Sequence, residues 1–78
     1  MNSNDEFVNE ESNESQCSKI LAHLKKGLPI TQLEALQMFR CFRLASRISD
    51  LRKRGENITV ERIKTTSGKY VAQYRLAI

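Results

Sequence analysis

The 78-residue chain is short of the residues that most often announce chemistry: it has no Trp, one Pro, one His, two Cys and three Gly. Each shortage excludes something. Cys17, Cys41 and His23 show no CxxC or HxxxH spacing, so no zinc site is expected. The glycines stand alone, so there is no phosphate-cradling glycine loop. Paired carboxylates and an activated nucleophile are also missing, and no enzymatic activity is expected. No apolar run is long enough to span a membrane. No charged segment followed by an apolar one opens the chain. A reducing, cytoplasmic setting follows, with both cysteines acting as small hydrophobes. One small domain of this length has little room to enclose a small-molecule substrate, so neither substrate nor cofactor is expected.

Basic residues are absent from residues 1–14, which carry Asp5, Glu6, Glu10, Glu11 and Glu14 and a charge of −5. Residues 15–78 hold all 13 basic residues against Glu34, Asp50, Glu56 and Glu61, a charge of +9. The net charge of +4 therefore joins an acidic tail to a strongly basic domain, which points to a polyanionic partner. The tail is rich in Asn, Ser and Glu and is expected to be disordered. Phe7 and Val8 are its apolar exception, either a docking motif or scattered hydrophobes. Tethering gives the tail a high effective concentration, so it either competes with such a partner for the basic face or merely solvates.

Periodicity divides residues 15–78. Ser15 is expected to cap a first helix whose Cys17, Ile20, Leu21 and Leu24 share one face, with Gly27 as its stop. His23 falls off that stripe and reads as a surface residue. Leu28-Pro29-Ile30 reads as an extended link. Thr31 and Glu34 form a capping box for a second helix, about 32–39, with Leu33, Leu36 and Phe39 at core spacing. A third helix, about 43–54, puts Leu44, Ala45, Ile48 and Leu51 inward and ends at Gly55. The period then shortens. Two alternating stretches around Ser67-Gly68 predict a β-hairpin, with Ile58 and Val60 opposite Tyr74 and Leu76. The break at Arg62-Ile63 predicts a bulge or the start of a projecting loop.

The expected fold is α+β: a three-helix bundle followed by a C-terminal β-hairpin, the layout of a winged helix-turn-helix. The run Arg43-Leu44-Ala45-Ser46-Arg47-Ile48-Ser49-Asp50-Leu51-Arg52-Lys53-Arg54-Gly55, closed later by Tyr74-Arg75-Leu76, resembles a family of small winged helix-turn-helix proteins common in bacteriophages and prophages. The resemblance covers about residues 16–76 and implies double-stranded DNA binding and phage or prophage transcriptional regulation in a bacterial host cytoplasm. One departure is Phe39-Arg40, where a Leu-Gly or Phe-Gly pair is expected. Arg40 has no ready left-handed option, so the turn is expected to tighten in another way.

A helix fits the major groove, and Arg reads guanine bidentately. Arg43, Arg47 and Arg54 are expected on one exposed line, with Arg43, Ser46 and Arg47 as base readers. Asp50 either accepts from a cytosine amine or, the favoured reading, pairs with Arg47 or Arg54 within the helix. Phosphate or wing contacts are expected from Thr31, Gln32, Arg40, Arg52, Lys53, Arg54, Lys64, Thr66 and Lys69. The alternative function is a protein-interaction adaptor on the same fold, docking through Phe42, Val71 and the hairpin edge. A homodimer and a host protein remain open as further partners; a membrane is not among them.

Overall fold

A computed structural model describes residues 12–77. The expectation of a disordered tail falls, for residues 1–11, outside them. Three helices, α1 (Asn13–Lys25), α2 (Gln32–Phe39) and α3 (Leu44–Lys53), are combined with three strands, β1 (Ile30–Thr31), β2 (Ile58–Lys64) and β3 (Tyr70–Leu76). The antiparallel sheet has the order β1-β3-β2.

α1 begins three residues earlier than Ser15 predicts. Ser12 is the cap: its side chain accepts the Ser15 amide at 3.2 Å. The extra turn is held because Asn13 and Glu14 find partners on α3, described below. Cys17, Ile20 and Leu24 are buried along this helix, as is Gln16, whose Nε2 donates to the Arg40 carbonyl at 3.3 Å. His23 is half-buried, in contrast to its expected surface position. Its Nε2–H donates to the Pro29 carbonyl at 3.0 Å, and its ring meets Phe39 edge-on at 5.9 Å. It holds the end of α1 against the α1–β1 link.

The expected extended link is also a strand. Ile30 and Thr31 pair with Tyr74 and Gln73 of β3, and the Ile30 side chain is buried. Thr31 and Glu34 form the capping box of α2: the Glu34 amide donates to Thr31 Oγ1 and the Thr31 amide to Glu34 Oε1. The inward face of α2 differs from the predicted one. Ala35 is buried and Phe39 partly so, whereas Leu33 is 63% exposed and Leu36 lies at the surface. A helix of only two turns packed between α1 and β1 has room inward for one small side chain, so the larger leucines are left outside.

Arg40 supplies the second correction. It occupies the left-handed region, φ 54 and ψ 35, despite its side chain. Its amide donates to Leu36 O, the Cys41 amide reaches back to Ala35 O, and its own carbonyl receives Gln16. These bonds offset a backbone cost of about 1–2 kcal/mol. Beyond it, Gln32 spans the turn. Its Nε2 donates to the Cys41 carbonyl at 2.6 Å and its Oε1 accepts the Leu44 amide at 2.8 Å. Arg43, the N-cap of α3, makes no side-chain cap bond; the α3 cap is thus supplied by α2.

α3 buries Leu44, Ile48 and Leu51. Ala45, expected on this stripe, is exposed, and Arg47 takes the remaining inward place. Gly55, at φ 99, ends the helix: its amide donates to Arg52 O and the Glu56 amide to Leu51 O. The hairpin runs in one unbroken register from Ile58↔Leu76 through Val60↔Tyr74 to Lys64↔Tyr70, without the predicted bulge at Arg62-Ile63. Ile58 is buried, but Val60 is 49% exposed. Helices cover the sheet only near its base, and the outer half of the hairpin projects. At the tip, Thr65 N donates to Lys69 O and Gly68 N to Thr65 O.

The core consists of Cys17, Ile20, Leu24, Ile30, Ala35, Cys41, Leu44, Ile48, Leu51 and Ile58. Burial pushes the Cys17 thiol up from its ordinary value. Neither buried cysteine should react with a disulfide-exchange reagent at pH 8 in the native state, and both should react once urea unfolds the chain. Arg40→Gly should stabilise the fold by about 0.5–1 kcal/mol, read from urea unfolding midpoints, because glycine adopts the left-handed region without a Cβ clash.

Candidate nucleic-acid interface

Successive side chains on a helix turn by about 100°, so the buried stripe of α3 decides what is left outside. With Leu44, Ile48 and Leu51 inward, the outward face carries Ala45, Ser49 and Lys53, with Ser46 and Asp50 half-exposed beside them. This face is made of small polar groups and one cation. It contains no arginine.

The arginines of the third helix are instead held by the protein itself. Arg47 is only 9% exposed. Its Nη1 donates to Asn13 Oδ1 at 2.5 Å, its Nη2 pairs with Asp50 at 3.3 Å, and its Nε is buried without a partner among the described residues. The expected exposed line of Arg43, Arg47 and Arg54 is therefore broken in its middle. Offsets of 0, 4 and 11 do lie on one line, but at Arg47 and Arg54 that line faces α1. Arg54 donates two bonds to Glu14, at 2.7 and 3.1 Å, an ion pair open to solvent that raises the guanidinium pKa further. Arg52, on the other flank, donates from Nε and Nη2 to the Ile58 carbonyl at 3.1 and 2.8 Å, fastening α3 to the first residue of β2. The expected pairing of Asp50 is present with Arg47.

Other expected contacts are partly occupied too. The Thr31 backbone amide is taken by Glu34; at Gln32 it is the side-chain amide, not the backbone one expected to meet phosphate, that is used in the turn. Thr66 and Lys69 lie at the exposed hairpin tip, next to a hydroxyl pair in which Thr65 and Ser67 are 2.9 Å apart. Arg40, Arg43, Lys53, Lys64 and Lys69 are exposed and make no side-chain bond among the described residues. Two of these flank the start of α3, one is on its outward face, and two are at the hairpin.

A cleft of about 420 Å³ links these parts. Its walls include Leu33 of α2, Ala45 of α3, and Ile63, Val71 and Ala72 of the hairpin. It lies between the start of α2, where Glu34 also lines it, and the hairpin, with Ala45 at the edge of α3. Sequence reasoning missed it because Leu33 and Ala45 fall at spacings that suit a core. Its signal was the apolar pair Ile63 and Val71, which directly face each other across the strands. Farther out, Arg62 stacks over the Tyr70 ring at 5.6 Å and stiffens the projecting half.

Arg47→Ala should destabilise the fold by about 1–3 kcal/mol in urea unfolding, since it removes a partly buried bond to Asn13 and strips Asp50 of its partner. Lys53→Ala should leave the unfolding midpoint within about 0.5 kcal/mol of the parent.

Among comparisons with known proteins, neither a curated protein nor a solved structure gives a significant match. A family model described as a winged helix-turn-helix domain does match, over residues 15–78. That span contains all three helices but for the first residues of α1, together with all three strands up to the end of β3. Short α2 and α3 joined through a clipped turn, followed by a projecting hairpin, are what such a match requires. The chain belongs to the winged helix-turn-helix family.

Proposed function

We propose that the protein is a sequence-selective double-stranded DNA-binding module acting as a transcriptional regulator, without enzymatic activity. The observation that carries this reading is the set of five exposed cations at the start of α3, on its outward face and at the hairpin: Arg40, Arg43, Lys53, Lys64 and Lys69. A polyanion lying along that face meets cations at both of its margins. The third helix enters the major groove, and the hairpin tip, with Lys64, Thr66 and Lys69, touches the flanking groove or backbone.

The small outward residues decide how bases are read. Ser46 and Ser49 bring hydroxyls, Ala45 a methyl suited to a thymine methyl, and the short side chains allow the helix to lie deep in the groove. Arg43, at the N-terminal end of α3, is the arginine placed to reach a guanine edge. Arg47 positions α1 against α3 and so supports the reading face from behind. Arg52 and Arg54 serve the fold first and reach phosphates only at its margin. The resemblance to phage and prophage proteins supports a regulatory setting in a bacterial cytoplasm.

An adaptor role is the second reading, favoured by Phe42, which is 52% exposed, and by the apolar cleft. Duplex binding separates the two. With about five phosphates contacted, log affinity should fall with log salt at a slope of about −4 to −5. Lys53→Ala should lower that slope by about 1. A salt-independent response, or no binding to any duplex recovered from a random pool, would overturn the DNA reading in favour of the adaptor.

A further inference from the structure

We propose that the open edge of β3, beside the apolar cleft, receives an extended segment of a partner protein as an added antiparallel strand. The segment places a β-branched residue in the cleft, a cation before it at Glu34 and a carboxylate after it at Lys69. The proposal stands whether or not the domain binds duplex DNA.

The edge comes first. β1 is two residues long and ends opposite Gln73, whereas β3 reaches on to Tyr70. Beyond Thr31 the chain coils into α2, so no strand lies beside residues 70–72 on that side among the described residues. The Ala77 amide donates to Asn57 O and the Thr65 amide to Lys69 O, which marks the odd-numbered positions of β3 as those bonded to β2. Main-chain groups alternate in direction along a strand, so the even-numbered positions turn to the other side. Tyr74 meets Ile30 there. The Ala72 amide and both main-chain groups of Tyr70 face the open edge.

The cleft follows this edge. Residues 71–74 line it in succession, and residues 31–34 line the opposite wall. A sheet face offers alternate residues, whereas an unbroken run is what an edge offers. On an added strand, the residue opposite Val71 shares a face with Val71 and with Ile63, its cross-strand partner. Leu33 lines the same space and is mostly exposed. A Val or Ile at that position removes apolar surface from water on both walls, and its branched side chain suits a pleated strand. A small apolar molecule would use this lining but not the Tyr70 and Ala72 main-chain groups; an extended backbone uses both.

Charge gives the segment its direction. Glu34 is the one charged residue lining the cleft, and it stands at the end where β1 stops. Lys64 and Lys69 are exposed at the other end, at the hairpin tip. A strand antiparallel to β3 continues the line of β1, entering beside Glu34 and leaving past Tyr70. A Lys or Arg two positions before the apolar residue then meets Glu34, and an Asp or Glu two positions after it falls opposite Lys69. Glu34 Oε1 is held by the Thr31 amide, which fixes the carboxylate and leaves Oε2 for the cation.

Two acetylated and amidated peptides of one composition, Lys-Thr-Val-Thr-Glu and Glu-Thr-Val-Thr-Lys, test this on the full isotope-labelled chain. Titrated to about 10 mM, the first should shift the amide signals of Tyr70, Val71 and Ala72 saturably and leave Ala22 on α1 unmoved. Hydrogen exchange at the Ala72 amide should slow about three- to tenfold at saturation. The second peptide should bind about two- to fivefold more weakly. Glu34→Gln, which keeps the α2 capping box, should weaken the first peptide by a similar factor, about two- to fivefold. Leu33→Ser, at an exposed position, should weaken both about three- to tenfold. The proposal is overturned if neither peptide gives saturable shifts, or if Ala72 exchange is unchanged at saturation. Equal binding of the two peptides, or binding indifferent to Leu33→Ser, overturns it as well. No duplex enters the test, so the DNA reading can fail while this result stands, and the reverse.

Discussion

The side chain of Gln32 holds the arrangement on which the rest of the structure depends. It accepts the Leu44 amide at the start of α3 and donates to the Cys41 carbonyl just before it. The α2–α3 connection is thereby fixed at both ends by a residue of α2. A helix whose own cap residue makes no side-chain cap bond would otherwise fray at its first turn. That first turn carries Leu44 into the core and Ala45 and Ser46 onto the outward surface, so the orientation of that outward face follows from two hydrogen bonds. Arg40 in the left-handed region completes the turn, and Gln16 of α1 secures its carbonyl. The reversal of the chain between the two helices is thus a polar construction set against an apolar core.

Electrostatics in this domain divide into two populations that composition does not distinguish. Arg47, Arg52 and Arg54 turn back to Asn13, Asp50, Ile58 and Glu14 and fasten α3 to its neighbours. Arg40, Arg43, Lys53, Lys64 and Lys69 extend outward. Guanidinium groups suit the first task because several fixed donors can satisfy a carbonyl or carboxylate from one direction. Lysines, compact and strongly hydrated, suit the second.

Much of the fold was legible in the sequence. The α2 capping box, the stop at Gly55 and the pairing of Ile58 and Val60 with Leu76 and Tyr74 depend on neighbours close in sequence or on strict alternation. What was not legible depended on distant partners. The early start of α1 needed Arg47 and Arg54, some 34 to 40 residues away. β1 is two residues long and is recognisable only by its ladder with β3. Leu33 and Ala45 had core spacing, but the short α2 and the flank of α3 beside the hairpin left them outside. Intrinsic preference argues against a left-handed Arg40, and tertiary hydrogen bonds override it. The candidate site shows the same division. The identity of α3 and the charge of its surroundings could be read directly; the inward turn of Arg47 could not, because helical spacing defines a line of residues and not the neighbour that the line will face.

The pairing of Ile30 with Tyr74 ties the first third of the chain to its last strand. Until β3 is present, α2 begins beside an unpaired segment and Ile30 lacks the sheet that covers it. The helices have mostly local contacts and form quickly, but the long-range closure must come last and sets the pace. During synthesis the helical part therefore emerges well before it can be completed. A fragment ending before Tyr70 would expose the same apolar side chains that the finished domain conceals, and would be a target for proteolysis instead of a smaller version of the protein.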